Sequence, residues 1–241
     1  MNWTENSIIL SVRLFSETAR VVTVFNRSIG KISAIFKNIK TSVQIGDISQ
    51  ISWRGRSANV LGSITVENIT SPLVFALSDA IKIYAIESAC TLCIHGIPEH
   101  APHEKLYEYL RRFLLSIRQS NTWLKEYVFF EIGFLSEIGF GLDLSKCAVT
   151  GQRENLCYIS PKTGHAVIES VGMQYKEKLF SIPSFMLDQS IEPSYEDIFL
   201  AMKITTHFLK MYFYDINNEK LPLSRECLIT NIYNKSLGDA K

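Results

Sequence analysis

The sequence predicts an α+β protein in which a small β-barrel comes first and an α-helical domain follows. Apolar and polar residues alternate with a period of two up to about residue 70, and apolar stripes at helical spacing dominate beyond it. The charge changes there as well. Residues 1–60 contain eight Lys or Arg and three acids, a net charge of +5, whereas the whole chain carries +1 and residues 61–241 therefore −4. A β-module that concentrates positive charge is suited to a phosphate backbone.

Five short β-rich segments predict the barrel. They read SIILSVRLF, ARVVTVF, KISAIFK, DISQISWRG and VLGSITVE, and turn residues such as Gly30 and Gly46 separate them. In the first segment the alternation predicts one apolar face made of Ile8, Leu10, Val12 and Leu14. Five strands at this spacing favour a small closed barrel. The OB-fold is the commonest five-stranded solution, and an SH3-like barrel fits the pattern nearly as well.

Four helices are predicted after the barrel, and none after Tyr214. Their apolar stripes run over 72–93, 102–117, 122–135 and 193–214, with Pro, Gly or Thr at the ends. Residues 142–182, between the third and fourth helices, read as short strands and turns. We therefore expect a β-domain over 1–70 and a helical domain over 71–241 that contains an irregular β-rich insertion at about 142–182.

Composition and targeting signals favour a folded cytoplasmic protein. Hydrophobic residues make up 46% and charged residues 20% of the chain, as in ordinary globular proteins. The N-terminus shows no basic cluster before its apolar run, so no secretory signal is predicted. Asp79, Lys82 and Glu87 interrupt the longest apolar stretch, which argues for a packed helix and against a membrane span. Five cysteines without regular spacing suggest reduced thiols.

No motif in the sequence predicts catalysis or a bound cofactor. Cys90 and Cys93 form a CxxC pair late in an apolar helix, where two buried core residues are the favoured interpretation. Cys147, Cys157 and His165 are too few for a structural zinc site, which needs four ligands. We expect no catalytic residue, no metal and no enzymatic activity. The alternative, a zinc-dependent enzyme or nuclease, would require a metal and a cluster of carboxylates.

The basic residues of the β-module are the best functional signal in the chain. Guanidinium and ammonium groups neutralise phosphates, and a nearby aromatic ring such as that of Trp53 offers a face for base stacking. A barrel that binds protein instead of DNA is the alternative. The predicted DNA-binding residues are Arg13, Lys31, Lys37, Lys40, Arg54 and Arg56.

Four segments carry a family resemblance. They are IILSVRLFSETARVVTVF and GKISAIFKNIKTS in the β-module, then FEIGFLSEIGFGLDLSKCAVTG and LCYISPKTGHAV at 130–151 and 156–167. In wording, spacing and order the chain resembles the RecO family of bacterial recombination mediators over essentially its whole length. The resemblance implies an OB-fold followed by a helical domain with a zinc-ribbon-like insertion.

The resemblance also implies a function without covalent chemistry. RecO-like proteins act in DNA repair and recombination: they bind single- and double-stranded DNA, anneal complementary strands and engage the C-terminal tail of single-stranded-DNA-binding protein (SSB). With RecR, and in some pathways RecF, they help to load RecA. From charge, we expect the SSB tail to meet a cationic rim formed by Arg111, Arg112, Arg118 and Lys125.

The chain departs from the family pattern at two places. Many members have four zinc-binding cysteines in the insertion, and here only Cys147 stands at such a position. The insertion is therefore expected to fold without metal, by packing of Leu142, Leu144, Tyr158, Ile159 and Val167. The loop after Lys37 reads KNIKTS where the family is usually richer in Gly and basic residues.

Overall fold

The computed structural model describes residues 2–38, 41–56, 61–119 and 122–239 and confirms the predicted α+β class. Five strands close into a barrel in the order β1-β2-β3-β5-β4, with β3 and β5 parallel and the other neighbours antiparallel. The long β1 closes the barrel because its first half pairs with β4 and its second half with β2. The strands are β1 Asn2–Ser16, β2 Ala19–Asn26, β3 Gly30–Phe36, β4 Ile48–Arg54 and β5 Gly62–Thr70.

The barrel interior is filled by alternate residues of all five strands. The buried cluster includes Ile9, Val22, Val24, Ile32, Ala34, Phe36, Ile51, Trp53, Ile64 and Val66. The predicted single face of β1 is wrong, because the register shifts between Ile9 and Ser11. Such a bulge adds a residue to one strand and reverses the alternation beyond it. Ile8, Ile9 and Leu10 are all buried, and Ile9 and Val12, three residues apart, both pack in the barrel interior, whereas Leu14 is 86% exposed.

Two helices pack with the barrel into a compact unit over residues 1–123. They are α1 Ala80–Gly96 and α2 Glu104–Ser116. The first begins later than predicted, because Pro72–Phe75 forms a separate 3-10 turn and the Asp79 side chain accepts a hydrogen bond from the Ile81 N–H at 3.0 Å. Cys90 and Cys93 are fully buried in α1.

The second compact unit spans residues 124–241 and contains all of α3 (Trp123–Glu137) except its first residue. Its longest helices are α3 Trp123–Glu137, α6 Tyr195–Leu209 and α7 Leu223–Asp239, and its short ones are α4 Glu169–Gly172 and α5 Ser184–Leu187. Ser194 and Asp197 form a capping box at the start of α6, and Lys210–Tyr214 continues that helix with π-helical geometry. The helix α7 lies after Tyr214, where no helix was predicted.

The region predicted as an irregular insertion contains a small three-stranded sheet. Its strands, in spatial order, are β7 Ala166–Ile168, β6 Leu156–Ile159 and β8 Phe180–Ser181. Leu156, Ala166, Val167 and Ile168 are buried around Cys147, and Leu144 and Tyr158 pack against them. Apolar packing thus accounts for the order of this segment.

None of the described helices has the length and continuous apolar character that a membrane crossing demands.

Candidate nucleic-acid interface

One end of the barrel brings together the β1–β2 hairpin, the end of β3, the end of β4 and the start of β5. Arg20 pairs with Phe36, Ala34 with Gly62, and Arg54 with Ser63. Partners on adjacent strands lie about 5 Å apart, so these strand ends form one continuous rim. We call this rim the basic mouth and define it by its cations, Arg13, Arg20, Lys37, Arg54 and Arg56.

The basic mouth has a strong excess of positive charge. Arg13, Lys37, Arg54 and Arg56 are exposed, and Arg20 is half-buried. Glu17 is the sole acid in the described stretches 13–20, 36–38, 54–56 and 61–63. Within the described residues, none of the five cations forms an ion pair. Their charges are therefore available to an anionic partner.

Another basic residue of the barrel shows the contrast. Arg27, which follows β2, lies 3.3 Å from a carboxylate oxygen of Glu104 and 3.6 Å from one of Glu108. Two acids at the start of α2 thus neutralise it. The available positive charge of the barrel therefore lies at the mouth and not evenly over its surface.

Two apolar side chains stand out among the cations. Leu14 is 86% and Phe15 61% exposed, both just before the hairpin turn. A small groove runs beside them and is lined by Leu14, Ser16, Glu17, Thr18, Ala19, Arg20, Phe36 and Asn38. The mouth therefore offers an aromatic ring and an apolar floor next to guanidinium groups, the combination that contacts both bases and phosphates.

Four of the predicted DNA-binding residues lie at the mouth: Arg13, Lys37, Arg54 and Arg56. Lys40 lies outside the described residues. Arg20 was not among the predicted residues, although its place directly after the hairpin turn could have indicated it. The predicted stacking role of Trp53 is wrong, because this side chain is only 3% exposed and stacks on Trp3 with centroids 6.2 Å apart.

Lys31 was predicted to contact DNA, and the structure places it in the interior instead. Lys31 is only 8% exposed, and its Nζ donates a hydrogen bond to the Ile94 carbonyl oxygen near the end of α1. Burial lowers the pKa of Lys31, although Glu99 and Cys93 oppose that effect. Lys31 therefore joins β3 to α1, and we exclude it from the candidate interface.

The predicted cationic rim is divided between the two units. Arg111 and Arg112 on α2 and Arg118 after it are exposed in the first unit, and Arg111 lies 4.0 Å from Glu108. Lys125 belongs to the second unit and is buried. Its Nζ donates to Glu192 at 2.6 Å and to the Gln189 carbonyl at 3.2 Å. Lys125 therefore fastens α3 to the segment before α6, and it cannot form part of a rim.

The insertion does not fit the zinc site that the family resemblance implies. Cys147 is buried, and burial alone would raise its pKa. Hydrogen bonds from the Thr150 hydroxyl and from the N–H groups of Ile168, Thr150 and Val149 outweigh burial and lower the pKa to about 7. No group of three or more His, Cys, Asp or Glu in the described part of the chain could hold a metal ion. Hydrogen-bond donors thus surround this sulfur.

The chain is similar to known proteins along most of its length. Residues 1–72 match the family model described as "Recombination protein O N terminal", and residues 77–218 match "Recombination protein O C terminal". A protein of Orientia tsutsugamushi (strain Ikeda) named "DNA repair protein RecO" is 34% identical over 240 residues, 96% of this chain and 98% of its own. Proteins with the same name from Bartonella henselae and Wolbachia pipientis wMel are 33% and 32% identical, over 95% of this chain and 91% and 100% of theirs.

Proposed function

Because this chain belongs to the RecO family of DNA repair and recombination proteins, we propose that it is a recombination mediator that works without covalent chemistry. In this proposal it binds single- and double-stranded DNA through the basic mouth and anneals complementary strands. It also engages the C-terminal tail of SSB and, with RecR and in some pathways RecF, helps to load RecA onto SSB-coated DNA. This activity would place the protein at the nucleoid.

The observation that carries the proposal is that the five cations of the basic mouth form no ion pair with any described residue. Two DNA strands repel each other through their phosphates, and bound cations lower that repulsion. Ion pairing would have consumed these charges, as it does at Arg27, but the mouth keeps them available. Binding should depend little on sequence and should weaken steeply as salt rises, because it releases counterions.

The partner side of the proposal depends on a different surface. The SSB tail would be an acidic peptide with an apolar end, for which cations beside an apolar surface are suitable. Arg111, Arg112 and Arg118 stay in this proposal because they are exposed, and Lys125 leaves it because it is buried.

Charge reversal at the basic mouth tests the DNA-binding part. The triple variant Lys37→Glu, Arg54→Glu, Arg56→Glu should bind a single-stranded oligonucleotide about a hundredfold more weakly, and its salt dependence should fall by about two in slope. Fluorescence anisotropy at several salt concentrations measures both quantities. The variant should also lose the acceleration of annealing between complementary strands coated with the cognate SSB.

A second triple variant provides the matched control for net charge. Lys105→Glu, Lys176→Glu and Lys220→Glu change three exposed lysines outside the mouth and lower the net charge by the same amount. This control should keep DNA affinity within about twofold of wild type. Equal losses in both variants would assign the effect to overall charge and remove the mouth as the binding site. Annealing by wild type on naked strands but not on SSB-coated ones would refute the SSB part.

We also propose that the insertion folds without zinc. Because the described residues supply no set of three metal-ligating side chains, and because Leu156, Val167 and Ile168 pack around Cys147, apolar burial supplies the stability that metal supplies elsewhere. Excess EDTA should leave the melting temperature within about 1 °C, whereas loss of a structural metal would lower it by several degrees. Elemental analysis showing about one zinc per chain would contradict this proposal.

A further inference from the structure

The tip of the β1–β2 hairpin has an unusual local geometry. The register shifts between Leu14 and Ser16, so the bulge leaves Phe15 without a residue opposite it, and the turn follows at Glu17 and Thr18. A regular strand would point one of two successive side chains inward. Here the bulge leaves Leu14 and Phe15 both exposed.

The surroundings of these two side chains are cationic. Arg13 precedes them on β1, and Arg20 is the residue paired with Leu14 across the hairpin. Leu14 and Arg20 also line the groove beside the turn, together with the edge of Phe36. Single exposed apolar residues are ordinary on protein surfaces, but adjacent ones inside a charged ligand surface indicate a contact site.

We propose that Phe15, supported by Leu14, stacks on unpaired nucleobases and gives the basic mouth its preference for single-stranded over duplex DNA. The inference rests on the proposed function, since it takes the phosphate contacts of the mouth as given. Every base of a single strand presents a face on which an aromatic ring can stack. In a duplex those faces are covered by neighbouring base pairs, and only the phosphates remain accessible without unstacking.

Charge complementarity favours nucleic acid over an acidic peptide as the occupant. A peptide that ends in an apolar residue needs one deep apolar pocket and a cation or two for its carboxylates. The groove at the hairpin is small, and the cations spread over β1, β2, the end of β3 and the end of β4. An extended polyanion with bases along its length fits that distribution.

Three DNA probes of equal length separate base contacts from phosphate contacts. They are an oligothymidylate, an oligonucleotide made of abasic sites and a duplex. Phe15→Ala should weaken binding to oligothymidylate about tenfold and leave the other two affinities within twofold. The salt dependence should stay unchanged, because no phosphate contact is removed. Phe15→Trp should keep the affinity, and its fluorescence should be quenched by oligothymidylate and not by the abasic probe.

Phe75→Ala is the matched control. Phe75 is 54% exposed and lies in the 3-10 turn after β5, at the opposite end of the barrel from the mouth. It should leave all three affinities unchanged. Circular dichroism should show both alanine variants folded, since each removes an exposed ring.

The possible outcomes distinguish this inference from the proposed function. If wild type binds none of the probes, the proposed function fails. If the triple charge reversal abolishes binding while Phe15→Ala changes nothing, only the stacking role is refuted. Equal weakening on all three probes would also refute it, by indicating a general effect on the mouth. If Phe15→Ala loses binding to an acidic peptide with an apolar end but keeps its DNA affinity, the hairpin contacts a protein partner instead of DNA.

Discussion

Arg225→Met is expected to destabilise the second unit by about 3–5 kcal/mol, the typical cost of leaving a buried charge without its partner. Arg225 and Glu131 are both fully buried. The Arg225 Nε donates to Glu131 Oε1 at 2.5 Å and its Nη2 to Oε2 at 3.0 Å. Removing the guanidinium leaves the Glu131 carboxylate in the interior with two hydroxyl donors among the described residues, those of Tyr127 and Thr205.

The size of the effect follows from how many helices meet at this pair. Glu131 comes from α3 and Arg225 from α7, and Nη2 of Arg225 also donates to the Met202 carbonyl on α6 at 3.2 Å. Burial opposes the charge of Arg225 most strongly, but the Glu131 carboxylate together with Tyr127 and Tyr214 outweighs it and raises the pKa of Arg225. Arg225 therefore remains charged, and its hydrogen bonds to Glu131 and Met202 join three helices.

Urea unfolding followed by circular dichroism measures the loss. Lys220→Met, an exposed substitution in the same unit, should change the free energy of unfolding by less than about 0.5 kcal/mol. The double variant Glu131→Gln, Arg225→Met should recover part of the loss, because no unpaired charge is then buried. An Arg225→Met protein with the wild-type midpoint would show that the pair does not stabilise the unit.

Gly30→Ala should cost the first unit about 3 kcal/mol or more, from left-handed backbone strain and a steric clash together. Gly30 has a φ of +88°, and an added Cβ would lie 2.1 Å from the Ala101 carbonyl oxygen. That clash is with backbone. The neighbouring His100 N–H donates to the Lys31 carbonyl at 2.9 Å, so the connection between α1 and α2 is held against the start of β3.

Gly139→Ala separates the two contributions. Gly139 has a φ of +91°, but an added Cβ would meet nothing within 4 Å. Its substitution should cost only the strain of a left-handed alanine, about 1–2 kcal/mol. Urea unfolding followed by circular dichroism measures both losses, because it reports on both units and Gly30 lies in the first unit and Gly139 in the second. Equal losses in the two variants would mean that the contact with Ala101 adds nothing.

Local patterns predicted most of the elements but not their irregularities. The alternation in β1 predicts a strand correctly, yet the two bulges that interrupt this alternation at Leu10 and Phe15 depend on pairing with β2. Pro72 looks like a helix start, but the chain first makes a 3-10 turn and Asp79 caps α1. The last helix, α7, was missed because its stretch ITNIYNKSLGD is too polar to show a clear stripe.

Lysines show most clearly what the candidate site required beyond the sequence. Lys31 lies in β3 and Lys37 directly follows that strand, and nothing in the sequence distinguishes the two lysines. Lys31 is buried and donates a hydrogen bond to a carbonyl oxygen near the end of α1. Lys37 lies beyond the end of β3 and is exposed to solvent. Lys125 is also buried, and the carboxylate to which it donates belongs to Glu192, which is distant in sequence. A lysine side chain, with a long aliphatic stem and a charged end, can be either buried against a partner or exposed to solvent.

Hydrophobic period, composition and motif wording are local properties. They were therefore sufficient to predict that the barrel precedes the helices, that positive charge is concentrated in the β-module and that the chain resembles its family. Which cations remain available, and which aromatic ring they surround, depends on the tertiary structure. Trp53 adjoins Arg54 in the sequence but fills the barrel core, whereas Phe15 is brought to the same mouth by the hairpin. Availability depends on burial and on partners from distant segments, and strand pairing sets both.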